Sequence, residues 1–149
     1  MEPAESLLPS QNNTDPWIYA RGTGEGCHED GQTYVGKWLV FVAPAEVDRV
    51  WAAIQGATEV DRLGVAAKVS TKHQVGHESN HHVICVYTRD FRDEADVERV
   101  LEGLRGIGIE GRLFYKTDQA TLSGIYSSGG PLTKKKGRAS LYSSDEFEG

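Results

Sequence analysis

Residues 37–54, KWLVFVAPAEVDRVWAAI, decide the architecture. The first seven, 37–43 (KWLVFVA), are apolar at odd and even positions alike, as a central strand covered on both sides requires. Pro44 suits the first position of a helix, where a missing N–H costs nothing. Val47, Val50, Trp51 and Ile54 then recur at i, i+3, i+4 and i+7, the apolar stripe of a helix that Gly56 is expected to end. A strand that feeds directly into an amphipathic helix packs that helix back on its own sheet.

The same order continues downstream. A short helical turn is expected over 58–63, stopped by Gly64, and 65–71 (VAAKVST) reads as a strand with a lysine near its end. Residues 81–88 (HHVICVYT) are β-branched and aromatic, hence a strand. The second helix covers 93–105 (DEADVERVLEGLR), with Asp93 as N-cap, acids in the first turn, and Val97, Val100, Leu101 and Leu104 as its stripe. Strands follow at 112–116 (RLFYK), 122–127 (LSGIYS) and 139–143 (ASLYS), the last at an edge. Toward the N-terminus, 16–20 (PWIYA) are either a short strand or an extended arm, and 22–32 (GTGEGCHEDGQ) form an acidic, glycine-rich loop. Residues 1–14 are polar, acidic and without period, which predicts a disordered leader. The expected division is a flexible acidic segment over 1–31 and a single α+β domain over 32–149, with its helices on one face of the sheet.

Composition bounds the function. A chain of 149 residues with 38% hydrophobic and 26% charged content is one soluble globular domain. No run approaches the roughly 18 apolar residues of a membrane span. The opening MEPAESLLPS carries two glutamates and no base, unlike a secretory signal, so a cytoplasmic protein is expected. Two cysteines exclude a disulfide scaffold and a cysteine-only zinc site. Sixteen bases against 22 acids give a net charge of −6, of which residues 1–31 hold −5. The nearly neutral remainder is no bulk-basic nucleic-acid binder, but it is compatible with a local cationic site.

Lys68 and Lys116 are the leading candidates for such a site. Each lies near the end of a strand in apolar surroundings (AAKVS, LFYKT), where an ammonium needs a carboxylate, a carbonyl or an anionic ligand. With Arg89 they would hold phosphate, while Tyr115, Tyr126 and Tyr142 would stack on or donate to a nucleotide. The alternative is a pair of structural salt bridges to Asp90 and Asp118. Lys134, Lys135, Lys136 and Arg138 form a basic loop that is either solvated or a funnel for polyanions. His73, His77, His81 and His82 cluster around Glu78, but Gly76, Ser79 and Asn80 make the stretch a loop, so no metal or other cofactor is expected. Cys85 reads as a buried small hydrophobe, and the acidic surroundings of Cys27 dull its thiol. GTGEG lacks the lysine of a phosphate loop.

The segments GKWLVFV, AAKVST, HVICVYTRDFRDEADVERV, LFYKTD, SGIY and SLYSSDEFE resemble the basophilic leukaemia expressed protein family over residues 34–147. That resemblance implies a fold similar to translation initiation factor 4E, a curved, mostly antiparallel sheet with helices on its convex side. The initiation factor holds a methylated guanine between two loop tryptophans. Here Trp38 sits inside a strand and Trp51 on the helix stripe, so both read as core and only Trp17 remains for stacking. Some similar microbial proteins carry a phosphothreonine lyase label, a chemistry that needs a lysine base and a histidine acid two residues apart on a strand. Here that stretch is Lys68, Val69, Ser70. The expectation is a non-catalytic binding module for a phosphorylated small molecule, a nucleotide or an RNA end. The alternatives are a lyase-like enzyme, with Lys68 or Lys116 as base and His73 as acid, and a scaffold with a protein partner on its helical face.

Overall fold

The computed structural model describes residues 8–22, 34–73, 81–117 and 142–148. In chain order these form β1 (Trp17–Arg21), β2 (Gly36–Val42), α1 (Pro44–Glu59), β3 (Ala66–Ser70), β4 (His82–Thr88), α2 (Glu94–Gly106), β5 (Phe114–Thr117), β6 (Tyr142–Ser143) and α3 (Asp145–Glu148). One curved, open sheet runs β1-β3-β4-β2-β5-β6, with every neighbouring pair antiparallel.

β2 is central, as its two-sided apolar sequence requires. Trp38 and Val40 face the helices and are buried, and Leu39 on the opposite face is buried as well. The stripes expected of both helices enter the core: Val47, Val50, Trp51 and Ile54 from α1, and Val97, Val100, Leu101 and Leu104 from α2. Asp93 caps α2 by accepting from the Asp96 N–H, and Trp38 ties strand to helix by donating Nε1–H to the Val97 carbonyl at 3.0 Å.

Two boundaries differ from the expectation. α1 passes through Gly56 to Glu59, because that glycine faces open space and the buried Thr58 anchors one more turn. The chain then leaves the helix through Asp61 at φ 60°, a left-handed conformation that short polar side chains tolerate. The domain also begins before residue 32. β1 pairs with β3, and residues 8–16 bind alongside: Ser10 donates both its N–H and its hydroxyl to Asp48, and the Lys72 and His73 N–H groups donate to the Pro9 and Asn12 carbonyls. Polar, aperiodic sequence concealed this segment because hydrogen bonds rather than an apolar stripe hold it. The strand expected over 122–127 lies outside the described residues.

Candidate functional site

Side chains alternate along each strand, so the register sorts the sheet into two faces. Trp38, Val40, Ala67, Val69, Ile84, Val86 and Tyr115 share the helix face and its core. On the opposite face, free of helices among the described residues, partners line up in cross-strand rows. One row reads Arg21, Ala66, Tyr87, Lys37, Lys116 across β1, β3, β4, β2 and β5. Its neighbour reads Tyr19, Lys68, Cys85, Leu39, Phe114. The described strands contain four lysines and arginines, no aspartate and no glutamate, and all four cations stand on this face.

The rings beside these cations are placed to matter. The Lys68 ammonium sits 4.1 Å from the centroid of the half-buried Trp17 ring, a contact worth about 0.5–2 kcal/mol that fixes both side chains. Lys37 lies 5.8 Å from the Tyr87 ring, and Tyr19, opposite Lys68, is 55% exposed. Lys37 and Lys116 stand directly opposite each other on neighbouring strands. Among the described residues no carboxylate lies within ion-pair distance of Lys68 or Lys116. Asp90, one expected partner, is gripped by Arg92 through two hydrogen bonds of 2.9 and 2.8 Å, and that guanidinium holds its carboxyl below the usual carboxylate range. Asp118 lies outside the described residues.

Lys68 and Lys116 thus share one face, in adjacent rows and three strand spacings apart, about 14 Å along the sheet. Arg89 is exposed, one residue beyond β4, at the end of the sheet that carries the Lys37 row. Tyr115 and Tyr142 are not ligand-facing rings. Both lie in the core, where Tyr115 packs on Trp38 at 5.4 Å and hydrogen-bonds Thr88, and Tyr142 donates to the Phe91 carbonyl. Of the apolar residues in LFYKT, Leu113 and Tyr115 belong to the core side of the strand, and only Phe114 shares the Lys116 face. Tyr126 and the basic loop of Lys134, Lys135, Lys136 and Arg138 lie outside the described residues. His73 is exposed beyond the end of β3, and His82 is buried on the helix face with Nδ1 2.7 Å from the Ser70 carbonyl. Cys85 is buried within β4.

Arg21, Lys37, Tyr19 and Tyr87 share this face and are not among the residues singled out from sequence. Two-residue alternation within each strand was a signal for them, since Lys37 is out of phase with Trp38 and Arg21 is in phase with Tyr19. Bringing them together needed the register between strands. One described cavity, of about 400 Å³, runs from the start of α1 along β2 to β5, where Leu39 and Phe114 of the second row border it, and one of about 430 Å³ borders the C-terminal ends of the two helices.

The described topology has a close counterpart among solved structures. A schistosome eIF4E complexed with m7GpppA and 4E-BP superposes with a TM-score of 0.61 at 14% identity, covering 93% of this chain and 75% of that one. A C. elegans eIF4E-3 in complex with the 4E-binding protein Mextli and a cap analog matches at 23% identity, with 72% and 65% coverage and a TM-score of 0.48. The first of these establishes the initiation factor 4E fold. The sequence profile of basophilic leukemia-expressed protein Bles03 matches residues 11–122, three quarters of the chain, and the chain belongs to that family.

Proposed function

We propose that the helix-free face is a non-catalytic binding surface for a phosphorylated ligand, a nucleotide or an RNA end. The observation that carries this is the segregation of charge: every lysine and arginine of the described strands, which hold no acid, occupies one face, beside partly exposed Trp17, Tyr19 and Tyr87. Lysine and arginine bind phosphate oxygens, and tyrosine and tryptophan rings accept a base on their π-faces. Lys116 with Lys37 would grip a phosphate, Lys68 and Arg89 would add positive field, and Tyr19 or Tyr87 would carry the base. The cap dinucleotide in the schistosome structure supports a nucleotide as first probe.

A thermal-shift series tests this with GMP, GTP, m7GpppA and a 5′-phosphorylated RNA pentamer, each at low and high salt. A probe at 100 times its Kd adds about 2.7 kcal/mol, or roughly 5–10 °C for a chain of this size. The shift should shrink with salt and vanish in the Lys68→Gln/Lys116→Gln double variant. No shift with any probe, or a full shift in the double variant, overturns the proposal. So does phosphate release that Lys68→Ala abolishes, because a binding module leaves its ligand unchanged.

A second reading, a protein partner on the helical face, draws on the groove where Ala57, Val60 and Ile107 border the ends of α1 and α2, with Val60 60% exposed. Val60→Asp should remove that partner and leave nucleotide binding untouched.

A further inference from the structure

The cations of the candidate face form a line rather than a cluster. Arg21, Lys37 and Lys116 occupy one cross-strand row, separated only by Ala66 and Tyr87. Lys37 and Lys116 are on adjacent strands, whereas Arg21 lies three strand spacings from Lys37, about 14 Å along the sheet. One phosphate readily bridges side chains on neighbouring strands, whereas the Ala66 and Tyr87 positions stand between Lys37 and Arg21. Between the two charged ends lie Tyr87 in the same row and Lys68 in the next, with Tyr19 beside Arg21 on β1. Ala66 leaves a shallow place beside Tyr87, with no side chain beyond Cβ to fill it.

The row therefore has the pattern charge, ring, charge. We infer that the ligand of this face is an extended single-stranded oligonucleotide, with one phosphate at Lys37 and Lys116, a later phosphate at Arg21, and a base laid on the Tyr87 ring between them. This rests on the phosphate-binding reading above and extends it from a nucleotide to a strand. Arg21 suits the outer end. It is exposed, it closes the row at β1, the outermost strand of the described sheet, and no ion pair engages it among the described residues. Because every contact is to a phosphate or a ring face, binding should be tolerant of base sequence.

The experiment is a length series at equilibrium: GMP, then 5′-phosphorylated oligouridylates of two, three and five nucleotides, each over a range of salt. Inorganic tripolyphosphate serves as an anion of comparable charge without bases. Wild type, Arg21→Gln and Lys116→Gln are compared, after confirming that thermal unfolding is unchanged in both variants. Affinity should rise from GMP to the trinucleotide and then level off. Arg21→Gln should abolish that rise, bring the log–log salt slope for the longer strands down by about 0.7, and leave GMP binding as in wild type. Lys116→Gln should weaken all of them. Equal loss for GMP and the pentamer in Arg21→Gln, or no gain with length, refutes the strand and leaves the mononucleotide site standing. Tripolyphosphate binding as tightly as the trinucleotide also refutes it, because the ring then contributes nothing. If no probe of the series binds, both this inference and the phosphate-binding reading fall.

Discussion

Tyr115 separates a core ring from a ligand-stacking ring, and its substitution gives a number for each case. Its side chain has no exposed surface, and its ring meets Trp38 at 5.4 Å and Tyr142 at 5.5 Å. Its hydroxyl hydrogen-bonds the equally buried Thr88 hydroxyl. Removing the ring in Tyr115→Ala deletes a fully buried aromatic and opens a cavity between two others, a loss of about 3–5 kcal/mol by analogy with buried Phe and Trp truncations. Tyr115→Phe keeps the ring and leaves Thr88 without this partner, which costs about 1–2 kcal/mol, or roughly 2–8 °C in Tm. Urea unfolding with linear extrapolation measures both, and an unchanged slope shows that only stability has moved. Affinity for a phosphorylated probe should be unaltered in Tyr115→Phe, since the ring faces the helices. A Tyr115→Ala variant within about 0.5 kcal/mol of wild type, as exposed positions behave, together with a fall in affinity, would refute the assignment of the two faces.

Further substitutions probe other joints. A Cβ at Gly64 would collide with the Tyr87 carbonyl, which is backbone and cannot swing away, so Gly64→Ala should lose at least about 1–3 kcal/mol in urea unfolding. Asp93→Ala removes the cap of α2 and should cost about 1 kcal/mol, read in the same assay. Arg92 lowers the Asp90 pKa in the folded state, so this pair stabilises the fold above the unfolded carboxylate's titration near pH 4, and the contribution is lost as pH falls through the folded value. Asp90→Asn should flatten that acid limb in a Tm-versus-pH series, and added salt should shrink the difference, because both side chains are largely solvated.

What the sequence revealed followed from local physics. The helix stripes of α1 and α2, the Asp93 cap and the two-sided β2 are periodic features within single elements, and they are where periodicity placed them. The site was only half legible. Lys68 and Lys116 announced themselves as charges in apolar strands, and alternation alone sends Tyr115 and Lys116 to opposite sides, but LFYKT does not say which side is the core. Tyr19 lies in, and Arg21 just beyond, a stretch that the sequence leaves open between a short strand and an extended arm. Its place in the sheet comes from backbone pairing with β3, to which side-chain composition contributes little. Lys37 was visible as the first residue of the deciding stretch, yet only the antiparallel register puts it opposite Lys116.

The most direct test of the central claim is where a phosphorylated ligand touches the sheet. A 15N-labelled sample titrated with m7GpppA, and again with a 5′-phosphorylated RNA trinucleotide, reports this residue by residue through amide shifts. The account predicts saturable, salt-sensitive changes at Tyr19, Arg21, Lys37, Lys68, Tyr87 and Lys116, with the exposed residues of α1 and α2 silent. Changes confined to the helices, or a spectrum unmoved by either ligand, would contradict it.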